Sequence, residues 1–423
     1  MTVTPLPEPG ASRQDKIYNF ASCLIDSIGW PLGMIFFSQA TILPVFMKRL
    51  GASDFEVGCL SALLGLLVLL PGFLVVRYLG ARKRARGYLI WVAIVERLAL
   101  LPLALLTPLW GLTHPSWLLA AVFVCFGCHG LAMGFNQPAY WVVVAKIIPA
   151  HWRGRLYGFA GGLGGILCLV FERVLNNLLS GKDAGFPNGY AKGFLIGFVI
   201  LVISVLPLGF VREPSSTPEP RREQNLFHDC MRVWRDNKGF RRFLYGQIAI
   251  VAASLAAPFY VLAAVKYLNA GPALIAGYTA TLGFAGSFGG LVWGAWADRS
   301  GNKIVLLTSM ALAVLAPLGA LAAPSPALFY AVFAALALSG GGVGLAGFNI
   351  VMEFAGEAHE IALYTSMYNG VTAIPRALAP LIGGFLAGAS SSYALGFAIS
   401  AALALAGLLL TLRVAEPRNV ARA

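Results

Sequence analysis

The stretch GAWADRSGNK, residues 294–303, places Asp298 and Arg299 between two long apolar runs, 272–297 and 303–322, with Lys303 opening the second. A membrane-crossing helix needs about 20 predominantly apolar residues, and each run is long enough. The charged stretch then reads as a short turn at the surface of a bilayer. Composition agrees: of 423 residues, 58% are hydrophobic and only 12% are charged. Soluble domains carry about 25% charged residues. A soluble fold could not hide this much apolar surface, so the expected class is an all-α polytopic membrane protein.

Dividing the chain at charge clusters, Pro and Gly gives twelve spans: 17–47, 54–77, 87–108, 115–146, 154–180, 193–211, 241–267, 272–297, 303–322, 326–354, 361–388 and 391–413. Only APSP (323–326) separates the ninth from the tenth. The net charge of +13 could suggest a nucleic-acid binder. The distribution of Lys and Arg argues otherwise. With the N-terminus in the cytoplasm, 23 of them fall on the cytoplasmic side, 5 on the other side and 3 inside spans. That bias predicts an N-in, C-in orientation.

The expected organisation is a tail (1–16), a six-helix bundle (17–211), a cytoplasmic central segment (212–242), a second six-helix bundle (243–413) and a tail (414–423). The second part of the central segment, from Asn225 to Arg242, reads either as an amphipathic interfacial helix or as a solvated linker. A faint internal repeat is visible. Gly134-Phe135-Asn136 precedes Leu156-Tyr157, and Gly347-Phe348-Asn349 precedes Leu363-Tyr364, each around the fourth span of its half. The glycine stretches GFAGGLGG (158–165) and GFAGSFGG (283–290) are not phosphate cradles, since no strand precedes them. They read as small-residue helix interfaces.

Gly294, Asp298, Arg299, Gly301 and Lys303 together resemble the loop signature of the major facilitator superfamily, G-x-x-x-D-R-x-G-R-K, which lies between the second and third spans of each six-span half. The matching loop of the first half keeps Gly72, Arg77 and a basic run, but Val76 stands where the acid belongs. The Arg153-Gly154-Arg155 turn is also similar to the family. The resemblance implies two bundles around a central site, with access alternating between the two sides. It also implies a gating role for the signature. Asp298 would cap or pair at a helix end, and Arg299 and Lys303 would bridge to neighbouring helices. Many proton-coupled members carry an acid in the first span.

Ionisable groups at bilayer depth are costly and mark functional sites by default. Asp26 lies about 14 Å into the first span at ~1.5 Å per residue, near mid-membrane. A carboxyl there suits proton exchange or substrate contact; a structural pair with a neighbouring helix is the alternative. Glu96 and Arg97 sit at similar depth in the third span. Adjacent residues point about 100° apart on a helix, so each needs its own partner on another span. Glu172 and Arg173, with Asn176 and Asn177, form a polar arc in the fifth span, as a vestibule or as a snorkelling helix end. In the eleventh span Tyr364, Tyr368, Asn369 and Thr372 lead to Arg376, a candidate for the cavity wall. Glu353 reads as an end-of-helix charge.

The fourth span contains CFGCHG (125–130), which fits the C-x-x-C-H pattern of haem attachment. That chemistry needs an exposed soluble pocket, and this motif lies in an apolar helix, so no cofactor and no metal are expected. His129 shares a helical face with Met133, Asn136 and Tyr140, and Gln137 follows directly. This face is expected to contact substrate or carry a proton, or else His129 is a hydrogen-bonded structural residue.

The expected protein is therefore a secondary transporter of a small organic solute, coupled to protons, with no enzyme chemistry. It would be a multi-pass monomer in the bilayer of a cell membrane, the bacterial cytoplasmic membrane. The rivals are a non-transporting sensor or membrane-complex assembly factor, whose cavity would be filled with bulky apolar side chains, and an uncoupled facilitator that could replace Asp26.

Overall fold

The computed structural model describes residues 12–69, 71, 75, 78, 84–180, 185–214, 226–322, 325–356 and 360–416. They are built from helices. The first half contains α1 (Arg13–Met34), α2 (Ile42–Arg49), α3 (Asp54–Leu69), α4 (Arg86–Leu98), α5 (Leu101–Trp110), α6 (Pro115–Ile147), α7 (Ala150–Ser180) and α8 (Asn188–Val205). The second contains α9 (Leu226–Asp236), α10 (Lys238–Ala252), α11 (Tyr260–Leu268), α12 (Pro272–Ser300), α13 (Asn302–Ala322), α14 (Pro326–Ala355), α15 (Ile361–Ser390) and α16 (Ala394–Leu412). Eleven spans among the described residues are long and apolar enough to cross a membrane. The twelfth expected span, 54–77, is described as a helix over Asp54–Leu69, and several of its later residues lie outside the described set. The APSP boundary does divide two helices, since α13 ends at Ala322 and α14 begins at Pro326.

Among the described residues, four expected spans change from α-helix along their length, the sixth ending in a 3-10 turn at Leu206–Phe210. The first passes through a 3-10 turn at Ile35–Phe37 and the seventh through one at Ala253–Phe259. The third breaks between Leu98 and Leu101, with Pro102 in the first turn of α5. Proline lacks an N–H and its ring crowds the preceding turn, so it ends or bends a helix. Large apolar side chains such as Trp91, Trp117, Phe159 and Phe385 point outward. An outward apolar surface of this kind suits lipid rather than water.

Because lipid tails are as apolar as leucine, helices in a membrane are held by close packing rather than by hydrophobic exclusion. The two glycine stretches show this directly, because α7 and α12 pack on one another through them. A Cβ at Gly161 would lie 2.5 Å from the Ser287 carbonyl oxygen. The second contact between halves joins α3 and α15, where a Cβ at Gly58 would lie 2.3 Å from the Pro380 carbonyl oxygen.

The apolar cores differ at the two ends of the molecule. At one end a single core includes residues of both halves, among them Phe37, Phe46, Phe126, Tyr260, Tyr278 and Phe333. At the other end each half has its own, around Leu89, Val143 and Leu208 in the first and around Phe243, Val305 and Ile350 in the second. Among the described residues, the halves thus share a core at one end, while at the end that carries the basic turns each keeps its own. Polar contacts cross at the shared core: Thr279 donates to Thr41 over 2.7 Å, and Tyr393 donates to Asp54, which also pairs with Lys48 at 2.7 Å.

Candidate functional site

Asp26 faces inward from α1 and is 6% exposed. Its Oδ1 accepts from Arg97 Nη2 at 2.9 Å and from Ser204 Oγ at 3.3 Å. Arg97 is 2% exposed. It also donates Nε to the Leu201 carbonyl at 2.9 Å and Nη1 to the Ala93 carbonyl at 3.1 Å. One guanidinium therefore ties α1, α4 and α8 together. The approach is close because Gly29 lies against Ser204; a Cβ there would come within 2.3 Å of the serine Cβ.

Glu96 turns the other way, as the helical angle requires. Its Oε1 accepts from Trp30 Nε1 at 2.9 Å, and its Oε2 from Asn136 Nδ2. Arg97 Nη1 stands 3.8 Å from the same carboxylate. Both intramembrane charges of the third span thus find partners on other helices, Asp26 on the first and Asn136 on the fourth. Beside them Ser27 Oγ and Tyr140 Oη lie 2.9 Å apart.

These groups border a cavity of about 450 Å³. Asp26, Glu96, Arg97, Asn136, Gln137 and Tyr140 all line it. Ser287 of α12 closes the wall from the second half. Trp30, Trp141 and Tyr157 add aromatic surface. Sequence reasoning missed these three and Ser204, although Trp30 stands four residues after Asp26 and so shares its face.

Other expected site residues lie elsewhere. His129 is buried behind the cavity rather than on its wall; its Nδ1 is 3.0 Å from the Glu96 carbonyl oxygen and its ring packs against Phe126. One helical turn beyond Met133, the face of α6 meets α4 and no longer meets the opening. Glu172 is half-buried and Arg173 exposed on α7, and neither lines the cavity. Tyr364 and Tyr368 belong to the core of the second half, where Tyr364 accepts from Asn237 at 3.2 Å and Tyr368 stacks on Phe243. Asn369 and Arg376 are half-buried. Neither borders the cavity, and the Arg376 side chain packs beside Gly65 of α3.

The signature turn also differs from expectation. Asp298 and Arg299 are exposed, and Asp298 forms no ion pair among the described residues. Gly301 ends α12 at φ +90°, a conformation that favours glycine. Lys303 does reach a neighbouring helix, donating to the Leu412 carbonyl at 3.3 Å. The buried member is Asn302, which donates to Glu353 at 2.7 Å and accepts from Asn349 at 3.0 Å. Glu353 is thus part of a polar network, not a plain helix-end charge. Arg77 lies outside the described residues.

Three solved transporters share this arrangement of helices. The chain is similar to a mutant of the nucleoside transporter NupG (TM-score 0.71, 12% identity, covering 95% of this chain and 99% of that one). It is similar to a D-xylose-proton symporter (0.66, 17%, 96% and 99%). It is also similar to a bacterial homolog of the human lysosomal transporter Spinster, solved inward-facing and unoccupied (0.61, 15%, 97% and 98%). At these identities the likeness is one of fold. No curated protein matches by sequence. A family model, however, matches residues 14–171 and 243–423, most of both halves. With the broken first and seventh spans, the signature turn after α12 and a cavity where the halves meet, this chain belongs to the Major Facilitator Superfamily.

Proposed function

We propose that this transporter moves a small organic solute by alternating access, with the solute held in the cavity beside Asp26, Arg97 and Glu96, and that proton exchange at these carboxylates couples the cycle. The observation that carries the reading is the buried Asp26–Arg97 pair on the wall of a cavity that both halves line. A charge pair at that depth is costly unless used, and removing one partner leaves the other uncompensated. A proton arriving on Asp26 would release Arg97 from its carboxylate and loosen the tie between α1 and α4. Rigid-body rocking of the halves could follow from such a change.

In this reading the basic turns face the cytoplasm, the protein lies in a cell membrane, and the structure corresponds to the state open on the cytoplasmic side. The polar lining supports a transporter over a non-transporting relative, whose cavity would be filled by bulky apolar groups. The test is a thermal-shift screen of metabolites on purified protein, followed by uptake of the hit into proteoliposomes with and without a pH gradient. Uptake should rise with the gradient, and Asp26→Asn should abolish that response. Uptake indifferent to the gradient would remove the coupling, and binding without flux would remove the transport.

A further inference from the structure

The charged side chains along the cavity are Asp26, Glu96 and Arg97, a formal balance of one negative charge. The single cation is tied to protein acceptors. Arg97 places three of its five N–H groups on Asp26 and on the Leu201 and Ala93 carbonyls, and it is 2% exposed. At that exposure it turns little of its guanidinium toward an incoming anion.

The acceptors are not used up in the same way. Asp26 takes both of its bonds on Oδ1, leaving Oδ2 without a donor among the described residues. Asn136 gives its N–H to Glu96, and its Oδ1 has no hydrogen-bond partner among the described residues. Four aromatic rings, Trp30, Tyr140, Trp141 and Tyr157, complete the surround. Ring faces attract cations, most strongly where water is excluded. An unpaired buried acceptor is costly, and a ligand N–H removes that cost.

We propose that the cavity takes an organic cation carrying N–H donors, an ammonium or amidinium group beside an aromatic or apolar body. The N–H groups would be held by Asp26 Oδ2 and Asn136 Oδ1, the charge by Glu96, and the apolar body by the rings. This rests on the cavity being the transport site, and the test separates the two ideas.

The probes are 2-phenylethylammonium, phenylacetate and 2-phenylethanol, matched in size and differing in charge. Binding to the purified full chain is measured by calorimetry, on the wild type and on Glu96→Gln and Asn136→Ala. The ammonium should bind best, and Glu96→Gln should weaken it by at least about tenfold, as loss of a charge-assisted contact does. Circular dichroism and thermal unfolding of each variant exclude loss of fold. If the alcohol or the acid binds as well as the ammonium and responds to the same variants, the cavity stands as the site and the cation class is overturned. If the ammonium fails to bind, the proposal is overturned. If probes bind but no affinity responds to either variant, the cavity itself is not the site.

Discussion

Arg97 joins three helices of the first half. It holds Asp26, the Leu201 carbonyl and the Ala93 carbonyl at once. Breaking a buried pair by removing one partner costs about 3–5 kcal/mol, whereas replacing both by apolar groups of similar size is close to neutral. We predict that Asp26→Leu lowers the unfolding stability of purified protein by an amount in that range, and that Asp26→Leu/Arg97→Met recovers a large part of it. Equal losses in the single and double variants would show that the pair is not a unit. That Glu96 and Arg97 need separate partners was legible in the sequence, because adjacent helical residues diverge. Which partners they find was not, because Asp26 and Asn136 are 71 and 40 residues away from them. His129 shows the limit of face-counting. It has the right spacing to Asn136 and Tyr140, but the helix that packs over it, α4, is invisible in a local pattern.

At the scale of helices, glycine sets how closely the halves approach. Gly→Ala inside a helix ordinarily stabilises by up to about 1 kcal/mol through backbone propensity. At Gly161 the added Cβ would lie 2.5 Å from the Ser287 carbonyl oxygen, and backbone cannot swing aside. At Gly164, on the same helix, the nearest atom is the Ser287 hydroxyl at 3.9 Å. We predict that Gly161→Ala lowers the melting temperature of purified protein and reduces uptake in proteoliposomes, while Gly164→Ala leaves both unchanged or slightly raised. Equal effects would mean that the close approach of α7 and α12 is not what these glycines provide. The spans themselves were legible because apolar length and charge clusters mark them strongly. The breaks at Ile35–Phe37 and Ala253–Phe259 were not, because apolar composition runs through them without change. The eleventh span misled for a related reason: Tyr364 and Tyr368 are amphipathic, and a core in their own half satisfies them as well as a cavity would.

At the scale of the whole molecule, the described residues form one shared core at one end and two separate cores at the other, which in the proposed reading is a carrier open to one side. Asp54 joins the halves at the shared core, accepting from Tyr393 at 3.0 Å while paired to Lys48. We predict that Asp54→Ala shifts the population toward the opposite opening; a ligand-free change of this kind requires only that the two states differ by a few kcal/mol. The most direct test places a single cysteine at Gln137, an exposed cavity residue, in a background without the six native cysteines. Labelling by a membrane-impermeant thiol reagent is then measured from each face of sealed vesicles. The account predicts fast labelling from the cytoplasmic face in the parent protein and faster labelling from the outer face once Asp54→Ala is added. Labelling from one face alone, unchanged by Asp54→Ala, would contradict alternating access to this cavity.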